Sequence, residues 1–207
     1  MELSTIDSVA LLAFSPGDGY PRLTRAVLGE LGDLLTTTQR AGLFRGVVIA
    51  ANEESFATGA ELEEIAPLAG IAAQEFARLG QKLYDQIERF PLPVVAAIRG
   101  YCLGGGLDLV LACHARVATY DASFGHPGVA LGLLTGWGGT QRLPRLVGKA
   151  QALQILLTGE RIPATQALTM GLVDELVSSA DLIEGAVRRC TALRARRGGL
   201  ADTVGTG

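Results

Sequence analysis

Cysteine is scarce in this chain of 207 residues, with Cys102, Cys113 and Cys190 the three present. An odd number, with no C-x-x-C spacing and no histidine pair nearby, speaks against both a disulfide framework and a zinc site. The three are read as reduced, structural thiols. Long hydrophobic runs are also lacking: the longest, at 91–98 and 153–157, fall far short of the about 20 residues a membrane helix requires. Positive charge is in short supply. The formal net charge is −3, which leaves no footprint for nucleic acid, and one basic cluster (Arg188, Arg189, Arg194, Arg196, Arg197) is read as the solvated face of a late helix. The first ten residues hold two acids and no basic segment, so no secretory signal is expected and the cytoplasm is the expected location.

What is present is apolar and globular. Hydrophobic residues make up 48% and charged residues 19%, enough to bury a core without self-repulsion. The length fits one main domain with a small appendage. The run at 9–14 reads as a strand, followed by a turn signal at Pro16, Gly17, Asp18 and Gly19 and by helical spacing of leucines over 22–38. A strand at 47–49 completes a β-α-β unit. An irregular segment over 52–60 leads to the acids Glu61, Glu63 and Glu64, which suit a first helical turn. A long helix over 71–89 is closed by Pro91 and Pro93, and the run at 94–98 has the continuous apolarity of a strand covered on both faces. Further on, strands are expected at 116–119, 122–125 and 173–177, and helices at 107–113, 140–146, 150–157, 164–170 and 181–195. Only 197–207 reads as a loose tail. The fold class is α/β with a helical C-terminal part.

Gly104, Gly105 and Gly106 sit where a strand hands over to a buried helix. Without a Cβ the main chain can approach a ligand closely, and the helix start aims free N–H groups and the positive dipole end at it. This is an anion or oxyanion site, or else a tight strand-to-helix turn. A phosphate-binding reading fits poorly: the spacing is not that of a P-loop, and Leu107 and Leu109 stand where a dinucleotide fingerprint needs glycine.

At this point the residues resemble a known family. The segment Ser55, Phe56, Ala57, Thr58, Gly59, Ala60, Glu61, Leu62 and the segment from Pro93 through Gly106 are similar to the enoyl-CoA hydratase/isomerase (crotonase) family. So, in order, are Ser123 to Pro127, Gly138 to Gly148 and Leu157 to Glu160. The resemblance is good over about 44–177. It implies a β-β-α spiral core, taken as residues 1–147, with a shortened C-terminal helical region over 148–207, and assembly as a homotrimer or hexamer. It implies an acyl-CoA thioester as substrate, coenzyme A entering as part of that substrate and no separate cofactor. The backbone amides of Ala60 and Gly105 would form the oxyanion hole, with Ala57, Gly59, Gly104 and Trp137 near the substrate. Trp137 lies in the loop that often lines the family's acyl pocket; it reads equally as a core or interface aromatic.

The resemblance also carries two catalytic carboxylates. The first aligns with Asp108, a glutamate shortened by one methylene and one helical turn beyond Gly105, which could instead merely cap its helix. The second falls on Gly128, which has no side chain. Two-carboxylate hydration and simple double-bond isomerisation are therefore both doubtful, whereas proton transfer, decarboxylation or C–C cleavage suits one carboxylate better. His126 could supply acid–base chemistry, the other reading being a packed or solvated histidine. Asp121 reads as a turn residue, and Arg142 and Arg145 as structural or oligomer contacts. Two other classes stay open: a non-catalytic acyl-CoA binder or oligomer partner, and a serine peptidase on the same general fold. The peptidase lacks a placed Ser/His/Asp set, with Leu103 and Leu107 where a nucleophile would sit.

Overall fold

The computed structural model describes residues 1–15, 20–52 and 54–203, with 196–203 described for the backbone alone. The expected turn at 16–19 lies outside the described residues. Two sheets carry the architecture. Strands β1 (Glu2–Ile6), β2 (Val9–Ala13), β3 (Gly46–Ala50), β4 (Val94–Ile98), β6 (Ala115–Thr119) and β9 (Glu175–Val177) form one sheet in that order, antiparallel at β1–β2 and parallel elsewhere. A smaller sheet has the order β5 (Tyr101–Leu103), β7 (Ser123–Gly125), β8 (Ile162–Pro163).

The parallel strands need covered faces, and the helices supply them. Every residue of β3, β4 and β6 is buried. On one face lie α1 (Arg25–Ala41), α3 (Gly70–Glu88), which follows the short α2 (Leu62–Ile65), and α4 (Gly105–Ala112); α1, α3 and α4 bury Leu28, Leu31, Phe76, Leu83, Leu107 and Val110 into the main core. The start of α1 is fixed by Thr24, whose hydroxyl accepts from the Val27 amide at 3.2 Å, and its end by Gly42 in the left-handed region at φ 65°. The other face is covered by α8 (Leu182–Thr203), which sets Leu182, Ala186, Val187 and Cys190 against Val48, Val95 and Val117.

The C-terminal region is helical in α6 (Lys149–Thr158), the short α7 (Ala164–Thr169) and α8, and between these helices it also contributes β8 to the small sheet and β9 to the large one. The expectation of a loose tail from 197 is corrected as far as Thr203: α8 continues to that residue, through Gly198 and Gly199 whose own helix propensity is low, and 204–207 lie outside the described residues. The three cysteines are buried and free, as expected. None of the described helices is long and apolar enough to cross a membrane.

Candidate active site

The small sheet positions a loop that belongs to neither sheet. Residues 56–57 add alongside β5: the Ala57 amide donates to the Tyr101 carbonyl at 3.0 Å, and the Leu103 amide donates to the Ala57 carbonyl at 2.9 Å. On its other side the Thr58 amide donates to the Pro21 carbonyl at 3.0 Å, and the Leu23 amide to the Gly59 carbonyl at 2.9 Å. Residues 57–60 are thus clamped between 21–23 and β5, and Gly59, at φ 102°, turns the chain so that Ala60 follows beside the start of α4. The approach is close. A Cβ built on Gly59 would stand 3.2 Å from the Gly105 nitrogen, and one on Gly104 would stand 3.7 Å from the Gly59 Cα.

Helix α4 begins at Gly105 because Gly104, at φ 53°, supplies a backbone turn that a side chain disfavours. The Gly104 amide is used by the Gly125 carbonyl at 2.9 Å, and the Asp108 amide closes the first turn onto the Gly104 carbonyl at 3.1 Å. Among the described residues no acceptor takes the N–H of Gly105 or of Ala60. Both residues line a cavity of about 550 Å³.

That cavity is largely apolar in its walls, with Leu62, Ile65, Leu131 and Leu134 among them, and holds a few polar groups, notably Asp108, His126 and Thr135. Asp108 projects from α4 and is 1% exposed. Its Oδ2 accepts from the Thr135 hydroxyl and, at 3.2 Å, from the Trp137 amide. Burial pushes its carboxyl up to about 6, while these donors, the Gly139 amide and the Arg142 guanidinium pull the other way. Asp108 also lies too close to Gly139 to admit a Cβ there. The glycine-rich loop before α5 (Gly139–Val147) is thereby moulded around one carboxylate.

Trp137 is 5% exposed and lines the same cavity, so it is both a packed aromatic and a wall. It meets Phe76 and Tyr84 edge-on, at 5.3 and 5.8 Å between ring centroids, and its indole N–H donates to the Phe76 carbonyl at 3.3 Å. Arg142 holds the loop from outside, reaching Asp85 at 2.6 Å, Glu88 at 2.7 Å and the Trp137 carbonyl at 3.3 Å. Arg145 is exposed. Asp121 accepts from the Gly100 amide at 3.3 Å and is a turn residue.

The structure brings Gly59, Ala60, Gly104, Gly105, Asp108 and Trp137 to one cavity. It leaves Ala57 outside: the methyl is fully buried, packed beneath Gly106, and the residue serves to join the loop to β5. Gly128 lines the cavity with ordinary space beside it, the nearest contacts of a Cβ being Leu133 atoms at 3.5 and 3.6 Å. Thr135 carried no signal in the sequence, since it stands 27 positions from the carboxylate it holds.

Residues 7–199 match the family model described as enoyl-CoA hydratase/isomerase. The chain belongs to the enoyl-CoA hydratase/isomerase family. Among solved structures it is similar to enoyl-CoA hydratase subunit I of Geobacillus kaustophilus, at 32% identity and TM-score 0.86, over 93% of this chain and 74% of that one. It is similar to an enoyl-CoA hydratase of Bacillus anthracis at 30% identity and TM-score 0.87, over 100% of this chain and 84% of that one. The enoyl-CoA hydratase of Thermoplasma volcanium superposes with TM-score 0.88 at 26% identity, over 100% of this chain and 85% of that one. The mixed α/β architecture is that of the family, as its resemblance implied.

Proposed function

We propose that this chain is an enzyme acting on an acyl-CoA thioester, with the amides of Ala60 and Gly105 holding the thioester oxygen and Asp108 moving a proton at the acyl chain. The observation that carries the reading is the meeting of two unspent backbone N–H groups with a carboxylate raised to about 6 in one apolar-walled cavity. Charge that builds on an enolate oxygen needs donors already in place, and losing one such donor typically costs about 2.7 to 4 kcal/mol of transition-state stabilisation. A carboxyl that titrates near neutrality is matched to taking and returning a proton. With glycine at 128, a second carboxylate for activating or delivering a water proton is missing from that wall. Proton transfer through an enolate, including decarboxylation or C–C cleavage that ends in protonation, is therefore favoured over efficient hydration. Coenzyme A enters as part of the substrate. Assembly as a homotrimer or hexamer goes with this reading, and exposed leucines on α6, Leu153 at 56% and Leu157 at 65%, offer apolar surface for it.

A panel of enoyl-, hydroxyacyl- and malonyl-type CoA thioesters, offered to the wild type and to Asp108→Ala, tests the proposal. Turnover of one class that the substitution abolishes supports it. Tight calorimetric binding with no turnover of any class would make the chain a binder instead.

A further inference from the structure

The cavity holds a second titratable side chain placed against the first. His126 follows β7, is 4% exposed, and lies with Nε2 3.5 Å from Asp108 Oδ1. Oδ2 of that carboxylate is occupied by Thr135 and Trp137, whereas Oδ1 and Nε2 are both shielded from solvent and, apart from the Gly139 amide that bears on the carboxylate, neither closes a hydrogen bond of good geometry with the described residues. Two buried polar atoms that face each other without partners are costly unless something is shared between them. A proton on Oδ1, directed at an Nε2 lone pair, satisfies both at once. A contact of this length can tighten when the reaction places a proton on it.

We propose that His126 is the positioning residue of this site, acting through Asp108: its Nε2 accepts from Oδ1 and thereby holds the proton that the carboxylate has taken from the substrate. This rests on the reading of the cavity as an acyl-CoA site. In the step itself, a C–H bond next to the thioester carbonyl breaks, its electron pair passes into the enolate held by the two amides, and the proton lands on Oδ1. There it is held on the Asp108–His126 line until it returns to a carbon of the same acyl chain, or is replaced from solvent before a proton returns. No co-reactant is consumed. The histidine so does part of the proton handling for which Gly128 has no group.

The surroundings fit a neutral imidazole. Burial holds the ring down to about 4, so at pH 7 it offers a lone pair rather than a charge. The other titratable groups that bear on Asp108 are Tyr84 from α3, Cys102 from β5 and Arg142 from α5. Burial raises the first two and keeps them neutral, and Arg142 is engaged by Asp85 and Glu88.

Exchange of the α-protons of butanoyl-CoA in deuterium oxide, followed by proton NMR as a function of pH, reads the pair without knowledge of the natural reaction. His126→Phe removes the acceptor; His126→Leu, smaller and equally unable to accept, serves the same arm. In either, binding of butanoyl-CoA by calorimetry should persist. The acid limb should move down by about one pH unit and the plateau exchange rate should fall about tenfold, because the carboxylate becomes a weaker base. His126→Gln, whose side-chain carbonyl can accept, should restore both. A limb that stays put or moves upward, with exchange otherwise as in the wild type, overturns the inference while leaving the acyl-CoA reading intact. If butanoyl-CoA neither binds nor exchanges, that reading falls. The pair is then decided by the carbon-13 carboxyl titration of Asp108, assigned with Asp108→Asn: a midpoint lowered in His126→Phe supports the pair, and an unmoved or raised one overturns it.

Discussion

The indole of Trp137 rests directly on the Cα of Gly105, so closely that a Cβ on Gly105 would collide with the six-membered ring. Gly80 on α3 meets the same indole, and a Cβ there would collide with its five-membered part. Two glycines far apart in sequence therefore serve one side chain. The Gly105 carbonyl is tied in as well, accepting from the Tyr84 hydroxyl at 2.9 Å. The amide at the head of α4 is thus held by aromatic packing as much as by the helix.

Gly105→Ala tests this. The added methyl has no space unless the indole moves, and overpacking of this kind typically costs about 1 to 3 kcal/mol. The chain has one tryptophan, so its emission reports the site directly. A red-shifted emission and a lower urea midpoint are expected, together with loss of acyl-CoA binding. An unshifted spectrum would show that the ring does not depend on Gly105.

Asp108→Asn should stabilise the protein at pH 7 while removing proton transfer. The sign follows from the direction of the shift. A carboxyl raised from 3.8 to about 6 leaves the folded state holding a proton that the unfolded state has lost, so stability falls as pH rises through that window. At 1.4 kcal/mol per unit, the burden is roughly 3 kcal/mol at pH 7 and absent below pH 3.8. Asparagine carries no such burden; its oxygen can still accept from Thr135 and Trp137, and its amide can donate to His126. Urea denaturation of the two proteins at neutral and at acid pH should show a gain at the first that vanishes at the second.

The fold was legible where chemistry is local. Strands β2, β3 and β4 are runs of apolar residues bounded by turn signals, and α3 stops at the prolines that cannot continue it. β1 escaped because all five of its residues are exposed and show no alternation of buried and exposed faces. β5 escaped because three residues between a strand and a glycine turn have no period to read. In the site, the glycine start of α4 and the placement of Asp108 could be read, since one helical turn relates them. The Thr135 and His126 partnerships could not: sequence spacing does not encode a loop returning over a helix. Ala57 shows the converse limit, for a residue inside a recognisable motif turned out to hold the loop from behind.

His126 makes the acid side of stability testable. Its ring, lowered from 6.5 to about 4, stays unprotonated in the fold while the unfolded chain takes up a proton, so stability falls as pH falls through that range. In the wild type this loss runs against the gain from protonating Asp108 over nearly the same window, each roughly 3 kcal/mol by the same conversion. The site's contribution between pH 4 and pH 6.5 should then be nearly flat. Asp108→Asn removes one arm, and the variant should lose stability steadily as pH drops across that interval. A variant profile that stays flat across that interval would mean that the histidine is not held neutral.

Gly128→Glu asks whether one missing carboxylate is what separates this cavity from hydration. The backbone there is not in the left-handed region, and the contacts of a Cβ with Leu133 are ordinary, so the substitution should fold with little loss. The new carboxyl would enter the wall of the cavity that already holds Asp108 and the two free amides. A general acid or base in place typically contributes 10² to 10⁴ in rate, so hydration of crotonyl-CoA should rise by about a hundredfold over the wild type. The rise should depend on Asp108, because either carboxylate alone can move only one of the two protons that hydration requires. Asp108→Asn in the Gly128→Glu background should therefore return hydration to the wild-type level; a gain that survives it would place the water chemistry on the new glutamate alone.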